Sequence, residues 1–158
     1  MEVSVSYLIL SLALVALVPV FIMAIRAAKN NEQIAAATWL STELMEEVRM
    51  RRWDENTPTP AVHIAAPGAI GTDTGETASD KRTFDDQDDF NGWTQSPPVD
   101  PVMNAISGFA AYSSSVTVQY ADANLAFSAA ATDYKKVSVC TWTRKLKSIC
   151  LTTVFTNR

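Results

Sequence analysis

"MEVSVSYLILSLALVALVPVFIMAIRAA" (Met1–Ala28) is the stretch whose reading decides the fold. From Val3 to Ile25 no residue carries a charge, and a helix needs about 20 apolar residues to cross the hydrocarbon core of a bilayer. A secretory signal has an apolar stretch of about 7–15 residues and then a small-residue cleavage site. After Ile25 the sequence goes on in helical character with no such site, so the segment is expected to stay in the mature protein. The apolar residues then thin to a stripe: Ile34, Ala37, Leu40, Leu44 and Val48 recur at steps of three and four, as one face of a helix does. Glu47 and Arg51 stand four apart in the favourable order for an exposed pair. The spacing predicts one helix from about Val3 to Arg52, roughly 75 Å long at 1.5 Å per residue. Its first half lies in lipid and its second half packs on a domain. Pro19 is the expected kink, since it removes a backbone donor and crowds the preceding turn. The helix is expected to end before "WDENTPTP" (Trp53–Pro60).

The rest of the chain reads as one globular domain. Residues 57–101 are rich in proline and glycine and read as loop. Strands follow over about 112–156. "YSSSVTVQY" (Tyr112–Tyr120) puts Val116, Val118 and Tyr120 on one face; "YKKVSVCTWT" (Tyr134–Thr143) puts Val137 and Val139 on one face and Cys140 and Trp142 on the other. "SICLTTVFT" (Ser148–Thr156) groups Ile149, Leu151 and Phe155. Three such strands, the last two a hairpin, make an antiparallel sheet whose apolar face suits the helix stripe. The predicted class is α+β, divided into a membrane-spanning half-helix (1–25), an amphipathic half-helix (26–53) and a globular head (54–158).

Charge is unevenly spread. Residues 54–133 carry twelve acids against Lys81 and Arg82, and residues 134–158 carry six bases and no acid, within a net charge of −4. The late bases alternate with Val, Thr, Ile and Leu at strand spacing, so no nucleic-acid partner is expected. They read as a solvated strand edge, or as contact between basic and acidic faces of neighbouring copies. Cys140 and Cys150 flank "TWTRKLKSI" (Thr141–Ile149), and a turn centred on Lys145 sets them opposite each other. A disulfide is the preferred reading, with two reduced, packed thiols as the alternative. The only histidine, His63, is far away in sequence, which speaks against a metal site there. A bridge would stabilise by about 2–3 kcal/mol in the chain-entropy model and would belong in an oxidising compartment.

"DDQDDFNG" (Asp85–Gly92) places Asp85, Asp86, Asp88, Asp89 and Asn91 in a turn closed by Gly92. Oxygen ligands this dense suit calcium, although the twelve-residue spacing and terminal glutamate of the hand-type loop are missing. The other readings are a solvated acidic loop or a contact for the basic tail. No other cofactor is expected, and no enzyme. His63 has no nucleophile motif beside it, and Asp73–Thr74–Gly75 matches the aspartic-protease signature only as an isolated tripeptide.

The opening run with its proline, followed by "AAATWLSTELMEEVRMRRWDE" (Ala35–Glu55), resembles the N-terminal module of type IV pilins and type II secretion pseudopilins. "FDDQDDFNGW" (Phe84–Trp93) and the closing hairpin are similar to segments of the minor pilins of mannose-sensitive haemagglutinin pili, notably the D type. In that family a glutamate stands five residues into the mature chain, and in many members a proline follows it seventeen residues later, as Pro19 follows Glu2. Glu2 is that glutamate if a basic leader and three mature residues precede this sequence; otherwise Met1 is the mature terminus and the glutamate is displaced. The resemblance implies removal of the leader by a prepilin peptidase, and a Glu2 that meets the N-terminal amine of a neighbouring subunit during assembly. It also implies a filament of this chain and other pilins, built from the inner membrane by an assembly platform. The product is an extracellular pilus or, in the alternative, a periplasmic pseudopilus. Without the resemblance, Arg26 and Lys29 would place residues 26–158 in the cytoplasm, and the chain would be an anchored domain of other function.

Overall fold

The computed structural model describes residues 2–158, with side chains from Val5 onward. Helix α1 spans Glu2–Arg49 and passes through Pro19 without interruption. It stops three residues short of the expected Arg52. Met50 N–H still reaches Glu46 O at 3.0 Å, but Arg51 N–H closes onto Val48 O at 3.1 Å. The Arg52 carbonyl then accepts from Gln87 N–H at 2.9 Å. Arg52 instead forms an isolated parallel bridge with Asp86.

By its contacts the chain divides into two compact units, Met1–Ala35 and Ala36–Arg158. In the first, every side chain from residue 5 to residue 32 is exposed. Val5, Leu8, Leu12, Val15, Phe21 and Ile25 are among its large apolar groups, and this part of α1 is long and apolar enough to cross a membrane. The stripe predicted to face the domain loses Ile34, which is 36% exposed, because it falls before the second unit begins.

In the second unit, Ala37, Leu40, Leu44, Met45 and Val48 are buried. Leu44, Met45 and Val48 join Phe84, Phe90, Trp93, Val116, Val118, Val137 and Val139 in one core. The sheet is antiparallel throughout, in the order β1 (Thr94–Gln95), β2 (Tyr112–Ala121), β3 (Tyr134–Thr143), β4 (Ile149–Thr156). Alternation holds as expected: Val116, Val118 and Tyr120 of β2 and Val137 and Val139 of β3 point inward. Polar groups on the same inner face are satisfied locally, with Ser41 Oγ donating to Thr141 Oγ1 at 2.8 Å and Ser114 Oγ 2.8 Å from the same atom.

The sequence reading foresaw three strands; the fourth, β1, is two residues long and lies inside the predicted loop. Gly92, at φ +81°, turns the chain into it, where a side chain would be strained. Gly92 N–H then donates to Val116 O. The remainder of that loop is irregular but tied down. Gly68 N–H donates to Asp54 Oδ2 at 2.8 Å, Tyr120 Oη donates to Gly68 O at 2.7 Å, and Asn157 holds the Ile64 backbone from both sides. The pair expected between Glu47 and Arg51 gives way to a longer-range one: Glu47 takes the fully buried Lys81 at 2.6 Å, while Glu46 pairs with Arg49 at 3.2 Å.

Candidate functional site

Phe84, Phe90 and Trp93 explain why the acidic segment is not a solvated loop. Their rings meet edge to face inside the core, Phe84 lying 5.0 Å from Phe90 and 5.6 Å from Trp93 between centroids. Anchoring both ends of "FDDQDDFNGW" in the core draws the aspartates between them inward, onto a short 3-10 turn at Asp88–Phe90. Asp86, Asp88 and Asp89 are each buried.

The four aspartates then part ways. Asp88 Oδ1 accepts from Lys135 Nζ at 2.7 Å, the contact with the basic tail that the sequence allowed. The same Nζ donates to Trp53 O at 2.6 Å and reaches Asp54 Oδ2 at 3.3 Å. It also lies over the Trp53 and Tyr120 rings, 4.3 and 5.7 Å from their centroids. Asp86 and Asp89 serve the turn's own backbone: Asp86 Oδ1 accepts from Asp88 N–H at 2.9 Å, and Asp89 Oδ2 from Asp85 and Asp86 N–H at 2.9 and 3.0 Å. Asp85 is exposed and pairs with Arg52. Lys135 lies on the same inward parity as Val137 and Val139, so strand alternation signalled its burial. Lys81 carries no such signal in the sequence.

Charge environments follow from burial. Burial pushes the Asp86 carboxyl up to about 9, helped by its hydrogen bond to Asp88 and the charges of Asp88 and Asp89. Glu76 is pushed up to about 7, by burial first and then by a hydrogen bond to Asp89. Burial also works to raise Asp54, but the N–H groups of Asn56 and Gly68 and the nearby Lys135 outweigh it and hold its carboxyl low. Burial, with Asp88, Asp54 and Asp86 close by, drives the Tyr120 phenol above its ordinary range.

Two groups of carboxylates bring ligand atoms within 4.8 Å of one another: Glu55, Asp85 and Asp86, and Glu76, Asp85 and Asp89. Asp88, the fourth aspartate of the expected calcium set, belongs to neither and faces Lys135. Calcium takes six to eight oxygens, so either group would need further ligands from water or backbone. A proton held on Glu76, hydrogen-bonded to Asp89, meets the same electrostatic need.

Protons held on Asp86 and Glu76 make stability depend on pH. Asp86 and Glu76 hold protons in the folded head that the unfolded chain releases near pH 4–4.5. Fewer protons on the unfolded state mean that stability falls as pH rises, and the loss is complete once pH passes the folded values. The thermal midpoint is expected to drop between pH 5 and pH 8, and Glu76→Gln is expected to flatten the part of that slope below about pH 7.5. A midpoint that climbs over this range would contradict the raised Asp86 and Glu76 carboxyls.

Of the remaining residues singled out from sequence, Cys140 and Cys150 are partners in the β3–β4 register and form a disulfide, with Cα atoms 4.0 Å apart. Both lie on the sheet face opposite Val137 and Val139. Pro19 lies in the exposed apolar part of α1. The Glu2 side chain lies outside the described residues. His63 Nε2 is 3.0 Å from Asp133 Oδ1, which also accepts from Asn157 at 2.9 Å, and Asp73 sits on an exposed turn with its N–H donated to Glu76. No family model matches the chain, and no curated protein or solved structure matches it.

Proposed function

We propose that this chain is a structural subunit of a type IV pilus-like filament, held in the inner membrane by the apolar part of α1 until assembly. The observation that carries this reading is the change of role along one unbroken helix. Residues 5–32 expose an uninterrupted apolar surface, and from Ala37 onward the same helix supplies the head's core. Water cannot be the final solvent of such a surface; lipid covers it first, and packing against like helices replaces lipid later. Ser4, Ser6, Ser11, Ala13, Ala16 and Ala24 are the small residues that allow close helix approach. The glutamate-to-proline spacing, as in the pilins the sequence resembles, supports the same reading, in which Glu2 meets a neighbouring subunit's amine. The disulfide supports a head exposed to an oxidising compartment. Other copies or other pilins, the assembly platform and prepilin peptidase are the partners this function requires. A type II secretion pseudopilin would use the same architecture and ends in the periplasm.

Electron microscopy of cells with and without the chain, with antibodies against residues 36–158, tests the proposal. Labelled surface fibres are expected, along the whole shaft for a major subunit and at one end for a minor one. A pseudopilin would instead leave surface fibres unlabelled and block secretion when deleted. A protein that stays solitary in the membrane, with reduced thiols and a cytoplasmic head, would end the filament reading.

A further inference from the structure

Between α1 and the segment that follows β1 lies a groove of about 220 Å³, lined by Trp39, Leu40, Glu43, Glu47, Asp100 and Ile106 among others. Its charge is unbalanced. Lys81 offsets Glu47 through one oxygen, Oε2, at 2.6 Å, while Glu47 Oε1 is buried with no hydrogen-bond partner among the described residues. Asp100 is occupied by the N–H groups of Val102 and Asn104, and Glu43 stands exposed at the mouth. Trp39, 45% exposed and stacked on Phe109 at 5.3 Å, adds an aromatic wall suited to a cation's stem.

The complementary charge is on the same molecule but makes no ion pair with the groove among the described residues. The β3–β4 turn presents Arg144, Lys145 and Lys147, all exposed and in no ion pair among the described residues. Gln95, Ser114, Thr141 and Ile149 form one row across the sheet, so groove and turn lie at the same end of it. Strand β2 separates β1 from β3, where the turn begins, at about 4.8 Å per strand step.

We propose that the groove at Glu43 and Glu47 receives the Arg144–Lys147 turn of a second copy of this chain. The inference rests on the filament reading and names the contact between heads. Two unlike patches make a head-to-tail contact. Such a contact repeats from copy to copy and builds an open helical array when its rotation does not close into a ring, whereas a self-complementary patch would stop at a dimer.

The test uses the full-length protein in cells, comparing Glu43→Lys, Lys145→Glu and the double exchange. Both positions are exposed, and unchanged thermal midpoints will show that each variant folds. Each single reversal is expected to lower the assembled fraction about tenfold, since like charges then face each other. The double exchange is expected to restore it to within about twofold of wild type, because the pair is only inverted. Filaments that form normally with either single reversal, or a double exchange no better than the singles, overturn the contact while leaving the filament reading intact. Wild-type protein that builds no filament overturns both.

Discussion

Lys135→Met is expected to destabilise the head by about 3–5 kcal/mol, the range for removing one partner from a buried ion pair. Lys135 is fully buried, and its Nζ serves three acceptors on two separate stretches of chain: Trp53 O and Asp54 Oδ2 on one, Asp88 Oδ1 on the other. Methionine replaces the stem well but leaves Asp54 and Asp88 facing each other without a cation. Both carboxylates are almost completely buried, so water cannot take over the role. The loss would reach the end of α1, where Trp53 and Asp54 begin the long irregular segment, and the turn that carries the acidic cluster. Urea unfolding of the two proteins at pH 7 measures the difference. Adding Asp54→Asn and Asp88→Asn to Lys135→Met is expected to recover much of it, because the repulsion goes with the charges. A single variant within about 1 kcal/mol of wild type, in the range of an exposed pair, would mean that the cluster does not hold the head together.

Removing residues 1–28 is expected to move the protein completely from the membrane fraction to the soluble one, with the head's unfolding midpoint unchanged. Fifteen large hydrophobic side chains between Val5 and Ile25 are exposed. At about 1.5–3 kcal/mol for each one buried, their transfer from water is worth tens of kcal/mol. No plausible contact made by the head competes with that. The core meanwhile draws only on residues from Leu44 onward, with Ala37 and Leu40 buried beside it, so truncation before Ala36 takes nothing from it. Carbonate-washed membranes and thermal scans of the soluble head provide the two measurements. Truncated protein that still pellets with membranes would show a second attachment.

The parts of this fold that were legible in the sequence are those set by short periods. Steps of three and four gave Ala37, Leu40, Leu44 and Val48; alternation gave the inner faces of β2 and β3; and a symmetric turn paired Cys140 with Cys150. Errors arose where a distant partner overrode a local rule. Glu47 pairs with Lys81 rather than Arg51, and Arg52 lies in a bridge with Asp86 rather than in the helix. Strand β1 is too short to carry any pattern, and only its pairing with Ser114 and Ser115 defines it. The acidic cluster was visible as composition, but composition could not say that Asp88 would face a lysine 47 positions later while Asp85 stayed outside. Lys135 was misjudged for a different reason: its charge was counted toward the basic tail, although its parity along β3 already placed it inside.

Trp39 gives this chain an optical handle. Its indole is half in water at the mouth of the groove, whereas Trp93 is sealed in the core, Trp53 lies beneath a fixed cation, and the half-buried Trp142 of β3 can be removed by Trp142→Phe. Anything that settles over that side of the helix dehydrates one fluorophore and spares the others. The ultraviolet emission of the unlabelled Trp142→Phe protein therefore reports, in its colour, whether that flank is covered or bare.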